Sequence, residues 1–292
     1  MGETRGDKIF GIVNAVMLIL ILAIVLYPLI FVISASVSNQ LAVSSGRMWL
    51  FPKEFTLVGY QKVFQNREIL VGYGNTILYA VVGTSINLVM TILAAYPLSR
   101  RSFAGKNVIM FIMVFTMFFS GGMIPTYLII KNMGMLNTMW SLVIPNAVAV
   151  WNIIIMRTFF KESVPVEVQE AAMIDGCSHT GILLRVMLPL SMPILAVMTL
   201  FYCVDHWNSY FSALIYLTDR AKFPLQLILR EILIQNQMDK MAGAATSLSE
   251  QIMYGQAVKY AVVVVANLPV FLLYPFLQRY FVQGMTIGSI KG

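Results

Sequence analysis

Charge is what this sequence has least of. Asp, Glu, Lys and Arg make up only 11% of its 292 residues, against about 25% in soluble domains. Too few charges remain to coat a water-facing globule, which argues against a soluble enzyme. Histidine is nearly absent, with only His179 and His206. Cysteine is equally scarce: Cys177 and Cys203 cannot build a disulfide framework, and neither has the CxxC or Cys/His neighbour of a metal site. Both read as passive side chains. There is no HExxH, no GxSxG and no GxxxxGK(S/T) phosphate loop, no internal repeat and no low-complexity tract. No catalytic residue and no metal site is expected, so energy for any work against a gradient must come from elsewhere. That leaves a secondary transporter, a channel, or the membrane subunit of a machine whose ATPase is another chain.

What the sequence has is apolar residues, 59% of the total, with a mean hydropathy of +0.78. At about 20 residues per crossing, that content accommodates around six transmembrane helices. Strong apolar runs fall at 9–33, 73–98, 108–130, 139–160, 190–217 and 257–282, each long enough to cross about 30 Å of hydrocarbon at about 1.5 Å per residue. Only helices satisfy their backbone within runs of this length; barrel strands would be about 10 residues long and alternating. The expected fold class is therefore all-α: a polytopic membrane protein with six transmembrane helices. Residues 9–282 form one domain between a cytoplasmic N-terminus, 1–8, and a cytoplasmic tail, 283–292. The first run far exceeds the 7 to 15 residues of a signal-peptide core and reads as a retained span. Pro28, Pro97, Gly121-Gly122, Pro125, Pro145, Pro193, Pro269 and Pro275 predict kinks or broken turns, tolerated where a helix packs on protein or lines a cavity.

The net charge of +7 reads as basic flanks facing anionic lipid and not as a nucleic-acid surface. The totals of basic residues on the two sides are equal, so short loops decide the orientation. Arg100, Arg101 and Lys106 crowd the loop after the second run, whereas Lys131 stands alone after the third. Both termini are expected in the cytoplasm. Two polar stretches, 35–72 and 218–256, are then external. Within the second, apolar residues at 225, 228, 229, 232 and 233 have the spacing of an amphipathic surface helix.

The most informative segment is the loop between the fourth and fifth spans, residues 161–189, KESVPVEVQEAAMIDGCSHTGILLRVMLP. Ser163 as a cap, Pro165 in the first turn, and Glu167 and Glu170 near a helix start are helix-entry chemistry. Ala171 and Ala172 offer a small-residue surface, Gly176 permits a turn, and Leu188-Pro189 stops the segment. On these residues alone, an ordinary amphipathic loop helix and a docking element are equally good readings.

The spacing of Glu170-Ala171-Ala172, Gly176 and Val186-Met187-Leu188-Pro189 resembles the EAA loop of ABC-importer permeases, with Val186 where the family usually has Ile. The resemblance implies that the loop is a coupling helix docking into a cleft on a cytoplasmic ATPase. Glu170 would pair with a basic group there, Ala171 and Ala172 would allow close packing, and Asp175, Gly176, Leu188 and Pro189 would complete the motif, with Gly176 forming its bend. Similarity extends to Asn75-Thr76, the segment from Ala94 to Arg100, Ile124-Pro125, Trp207-Asn208 and the ending from Gln278 to Gly292. These look like carbohydrate-type permeases of the maltose-permease-like second subunit, in the branch for oligosaccharides and polysaccharide fragments that includes alginate importers. That family implies a second contact with the ATPase through the tail, around Gly284, Gly288, Lys291 and Gly292; the plainer alternative is a frayed end.

The same resemblance implies the assembly. A homologous second permease subunit shares the path, two copies of an ATP-binding subunit carry the ATP and Mg, and an extracytoplasmic binding protein delivers the sugar. The chain itself holds no cofactor, and its place is a bacterial cytoplasmic membrane. External segments carry ten basic residues against six acidic, which suits an acidic saccharide but equally a binding protein or lipid. Polar and aromatic residues within the spans are path candidates: Tyr202, Asp205, Trp207, Asn208 and Tyr210 around the fifth, and Trp151 with Asn152 in the fourth. The competing reading is that Asp205 and His206 pair with each other or with backbone. Asn87 and Asn267 are weaker candidates, since Asn often only joins helices. A secondary carrier or channel for a small polar solute is the rival function; it would need several buried coupling charges, and Asp205 is the one carboxylate placed in a span.

Overall fold

A computed structural model describes residues 4–162, 164–241, 258–272 and 275. Among the described residues the secondary structure is helical, with one isolated antiparallel bridge between Ser38 and Phe55. In chain order the helices are α1 (Arg5–Ser36), α2 (Gln40–Ser44), α3 (Val58–Gln65), α4 (Arg67–Ser99), α5 (Lys106–Phe118), α6 (Met123–Asn132), α7 (Trp140–Val143) and α8 (Val150–Glu162). They continue with α9 (Val166–Ile174), α10 (His179–Ile182), a π turn over Leu183–Met187, α11 (Leu188–Leu190), α12 (Met192–Asn208), α13 (Phe211–Tyr216), α14 (Leu225–Met241) and α15 (Val258–Leu272).

The two longest helices, α1 and α4, each run unbroken past an internal proline, Pro28 and Pro97. Both are long and apolar enough to cross a membrane by themselves. Two further apolar stretches are bent pairs: α5 and α6 meet at 110° across Gly121-Gly122, and 179–190 meets α12 at 83° across Ser191. The run expected at 139–160 is likewise interrupted, with α7 and α8 separated by residues 144–149 around Pro145. Proline removes a backbone donor and clashes with the preceding turn, and glycine at φ +87, as at Gly122, leaves helical space altogether. Of the expected sixth span, α15 is described, together with Pro275. The tail residues Gly284, Gly288, Lys291 and Gly292, and the cap at Ser163, lie outside the described residues.

Contacts divide the chain into two compact units. In the unit of Met1–Leu70 and Leu229–Leu268, α1 begins with a capping box. Thr4 Oγ1 accepts from the Asp7 N–H at 3.3 Å while the Asp7 carboxylate accepts from the Thr4 N–H at 2.9 Å. The helix is exposed along its whole apolar length, which suits a hydrocarbon surrounding rather than water. The following segment folds back on itself: Ser36 Oγ lies 2.8 Å from Tyr60 Oη, and the Asn39 N–H reaches the Lys53 carbonyl at 3.1 Å.

In the unit of Val71–Ile228 and Pro269–Gly292, one core joins the end of α4 (Ala95, Tyr96, Leu98), α8 (Ile153, Met156, Phe160), the segment after α9 (Ile182, Leu183, Met187) and α12 (Ile194, Met198, Tyr202). Close packing of this kind transmits displacement because cores are stiff. At the opposite end of α4, the Asn75 carboxamide donates to the carbonyls of Ala221 and Phe223 at 2.8 and 3.1 Å. Thr76 Oγ1 accepts from the Leu225 N–H at 2.8 Å. Gly72 lets this segment approach, since a β-carbon there would sit 3.3 Å from the Leu225 backbone and overlap Ile228. The start of α14 is correspondingly buried at Leu225, Leu227 and Ile228. Leu225 and Ile228 belong to the apolar spacing expected there, Leu227 does not, and residues 232 and 233 of that spacing are only half-buried.

Candidate functional site

The loop after α8 is built around α9. Pro165 occupies its N-cap with extended ψ of 140°, not the first turn, and Glu167 is the acidic residue of that turn. A cap position needs no N–H from its residue, so proline costs nothing there. The other end closes as a Schellman motif. The Cys177 N–H bonds the Ala172 carbonyl at 2.9 Å, the Gly176 N–H bonds Met173 at 3.1 Å, and Gly176 has φ +80. Ser178 then caps α10, its Oγ accepting from the Gly181 N–H at 3.2 Å.

This short helix has two distinct faces. Gln169 is buried, its carboxamide donating to the Val164 carbonyl at 3.3 Å, and Ala172 packs against the core with Cys177. The other face presents Glu167, Val168, Glu170, Ala171, Ile174 and Asp175 outward. Ile174 is 87% exposed and Val168 41%, so Val168, Ala171 and Ile174 form an apolar stripe at i, i+3, i+6 between carboxylates. The expected pair of small residues is thereby split: Ala171 faces outward and Ala172 inward. Leu188 packs on the core and Pro189 is exposed.

The loop is fastened to its neighbours by polar bonds as well as packing. Tyr96 Oη of α4 donates to the His179 carbonyl at 3.0 Å, and α8, which leads into the loop, is tied to α4 by Arg157 Nε donating to the Leu98 carbonyl at 2.9 Å. Beside Glu170 opens a recess of about 200 Å³ lined by Arg100, Arg101, Lys161, Gln169 and His179. In the sequence Arg100 and Arg101 served only to set the orientation; in the structure they line the same recess as the motif's glutamate, because the residues that follow α4 lie beside α9.

The path candidates divide into those the structure gathers and those it does not. Asn152, Tyr202 and Asp205 line one open cavity of about 310 Å³ with Asn146, Val148, Ala149 and Phe201. Tyr202 is buried, its hydroxyl 2.7 Å from Thr91 Oγ1. Trp207 is buried instead against Tyr73, edge to face at 5.6 Å between ring centroids. Trp151 is 62% exposed and lies outside the cavity lining, Asn208 donates to the Val204 carbonyl at 2.9 Å, and Tyr210 follows the end of α12. His206 does not turn to Asp205. Its Nε2 lies 2.7 Å from Asn87 Oδ1, while the Asn87 amide donates to the Asn146 carbonyl at 2.6 Å. Asn87 is thus a joint between α4, α12 and the break before α8, and Asn267 bonds within its own helix, to the Val263 carbonyl at 2.8 Å. Asn146 was missed as a lining residue, although Pro145 marked the break that exposes it.

A long apolar chain with an exposed, capped loop helix and a cavity at a broken span has the parts of a transport component. The model of the family described as binding-protein-dependent transport system inner membrane component matches residues 69–287. The chain belongs to this family. It is therefore a membrane permease component and not a catalytic subunit. Protein LplC of Bacillus subtilis is 40% identical over all of this transport component and 98% of its own length. The B. subtilis polygalacturonan/rhamnogalacturonan transport system permease protein YtcP is also 40% identical, over 98% and 99% of the two chains. A chain from the crystal structure of a bacterial ABC transporter involved in the import of the acidic polysaccharide alginate matches with TM-score 0.86 and 34% identity, covering 96% of this permease component and 99% of that chain.

Proposed function

We propose that this permease component forms, with a homologous second permease subunit, the translocation path of an ATP-driven importer for an oligosaccharide or polysaccharide fragment, with acidic, alginate-like fragments among its substrates. Two copies of a cytoplasmic ATP-binding subunit rest beneath, an extracytoplasmic binding protein delivers the sugar, and both termini are cytoplasmic. The six runs are its spans, broken ones included.

The observation that carries this reading is α9. Its outward stripe is apolar and edged by Glu167, Glu170 and Asp175, while its inner face is locked into the core shared by α4, α8 and α12. A helix so placed is a lever: a change of ligand state in a docked ATPase shifts α9, and the packed spans choose between two arrangements. The tail at 283–292 is a second contact with the same partner. Relatives named for polygalacturonan, rhamnogalacturonan and alginate transport support the saccharide class.

The test is Glu170→Lys in the purified permease–ATPase complex. Assembly and ATP-driven saccharide uptake are both expected to fall at least tenfold. Survival of both at the wild-type level removes the coupling assignment.

A further inference from the structure

We infer that Asp205, with Asn152 and Asn146, is a hydroxyl-reading subsite of the path that favours neutral sugar rings over uronates. The inference rests on the saccharide-importer reading and deepens it.

Three observations meet at this cavity. First, it lies where the fourth apolar run breaks: residues 144–149 are not helical, and Asn146, Val148 and Ala149 of that break line it. Irregular backbone at membrane depth is tolerated where it is buried in protein or lines a wet cavity. Second, its polar side chains are unspent. Among the described residues, neither the Asp205 carboxylate nor the Asn152 carboxamide has a hydrogen-bond partner. The adjacent His206 imidazole, which could have neutralised Asp205, is committed to Asn87. Asp205 is exposed and Asn152 half-buried in this chain, so both are open to whatever fills the cavity. Third, the lining contains no Lys, Arg or His.

That set matches the chemistry of a sugar ring in one particular way. A carboxylate only accepts hydrogen bonds, and its two oxygens suit two adjacent hydroxyl donors; the carboxamides both donate and accept; the exposed Phe201 ring beside them can take the C–H face of the sugar. A uronate carboxylate entering the same space would meet Asp205 with no cation to offset the repulsion. Subsites for the acidic groups of a charged fragment therefore lie elsewhere in the path, and this one reads hydroxyls. Phe201, Tyr202 and Asp205 stand at i, i+1 and i+4 of α12, on one side of the helix.

The test uses the complete importer reconstituted in vesicles, with concentration-dependent uptake of a neutral oligosaccharide and a uronic-acid oligosaccharide measured for wild type and Asp205→Asn. The substitution keeps size and one acceptor oxygen but removes the charge and turns the second acceptor into a donor. Charge-assisted bonds are about twice as strong as neutral ones, so KM for the neutral substrate is expected to rise roughly five- to tenfold with kcat nearly unchanged. KM for the uronate should fall, most strongly at low salt. An unchanged ratio of the two KM values, in a variant that assembles like wild type, overturns the subsite while leaving the importer reading intact. Wild-type complex that takes up neither saccharide overturns both. Asn152→Ala supplies a second reading: it should weaken both substrates about equally, and no effect on either counts against the subsite.

Discussion

Gly176 closes the C-terminus of α9 at φ +80, a conformation that costs L-residues about 1–2 kcal/mol. Gly176→Val is therefore expected to loosen the Schellman cap and weaken ATPase binding about five- to tenfold, whereas Gly176→Asn, which tolerates the left-handed region, should lose much less. Binding titrations of the ATPase against both variants check this, and equal affinities would show that the cap geometry does not matter. Gly83 makes a sharper case. A β-carbon there would overlap the His206 imidazole, so Gly83→Ala must displace the ring and break its bond to Asn87. Overpacking plus a lost buried hydrogen bond is worth about 2 kcal/mol or more. The detergent-purified complex should unfold several degrees lower, and an unchanged unfolding temperature would mean the ring is not held there. Neither glycine's geometry was legible by composition, though Gly176 stood out by its motif. The polar patch at 205–208 was visible as a patch, but consecutive residues on a helix point about 100° apart. Asp205, His206 and Trp207 accordingly diverge, to the cavity, to Asn87 and to Tyr73. Applying the i, i+3, i+4 rule to the fifth run would have separated them in advance and grouped Phe201 and Tyr202 with Asp205.

The elements were more legible than their ends. Hydropathy located the apolar helices, and Gly121-Gly122 and Pro145 marked two of the interruptions. The same residue types did not break α1 at Pro28 or α4 at Pro97, because a lone proline inside a long helix forfeits one bond that neighbouring turns can bridge. Asn75-Thr76, noticed in the sequence as part of a resemblance, turned out to anchor the segment from Ala221 to Leu225. Such a tie across about 150 residues leaves no local pattern. On α9 the apolar stripe decides the prediction. Burying Ile174, 87% exposed in the isolated chain, is worth about 1.5–3 kcal/mol. Ile174→Asp should therefore weaken capture of the ATPase by the permease at least tenfold, and Ile174→Leu should not. If Ile174→Asp binds as tightly as wild type, the stripe is not the docking face.

At the scale of the whole molecule, a chain with 11% charge has polar groups gathered on the outward face of α9, in the recess beside Glu170 and at the cavity of Asp205, and the proposed function uses these three places. The apolar exterior of α1 and the packed core around α8 and α12 divide the remaining work between contact with hydrocarbon and stiffness. In the proposed importer the ATP-binding partner supplies the energy. The most direct measurement is uptake of a labelled oligosaccharide into vesicles holding the complete complex, energised either by ATP or by an imposed proton or sodium gradient. Uptake is predicted with ATP alone, abolished when the ATPase subunits carry a hydrolysis-blocking substitution, and insensitive to collapse of either gradient. Uptake by the permease subunits without ATPase, driven by an ion gradient, would contradict the account and make the chain a secondary carrier.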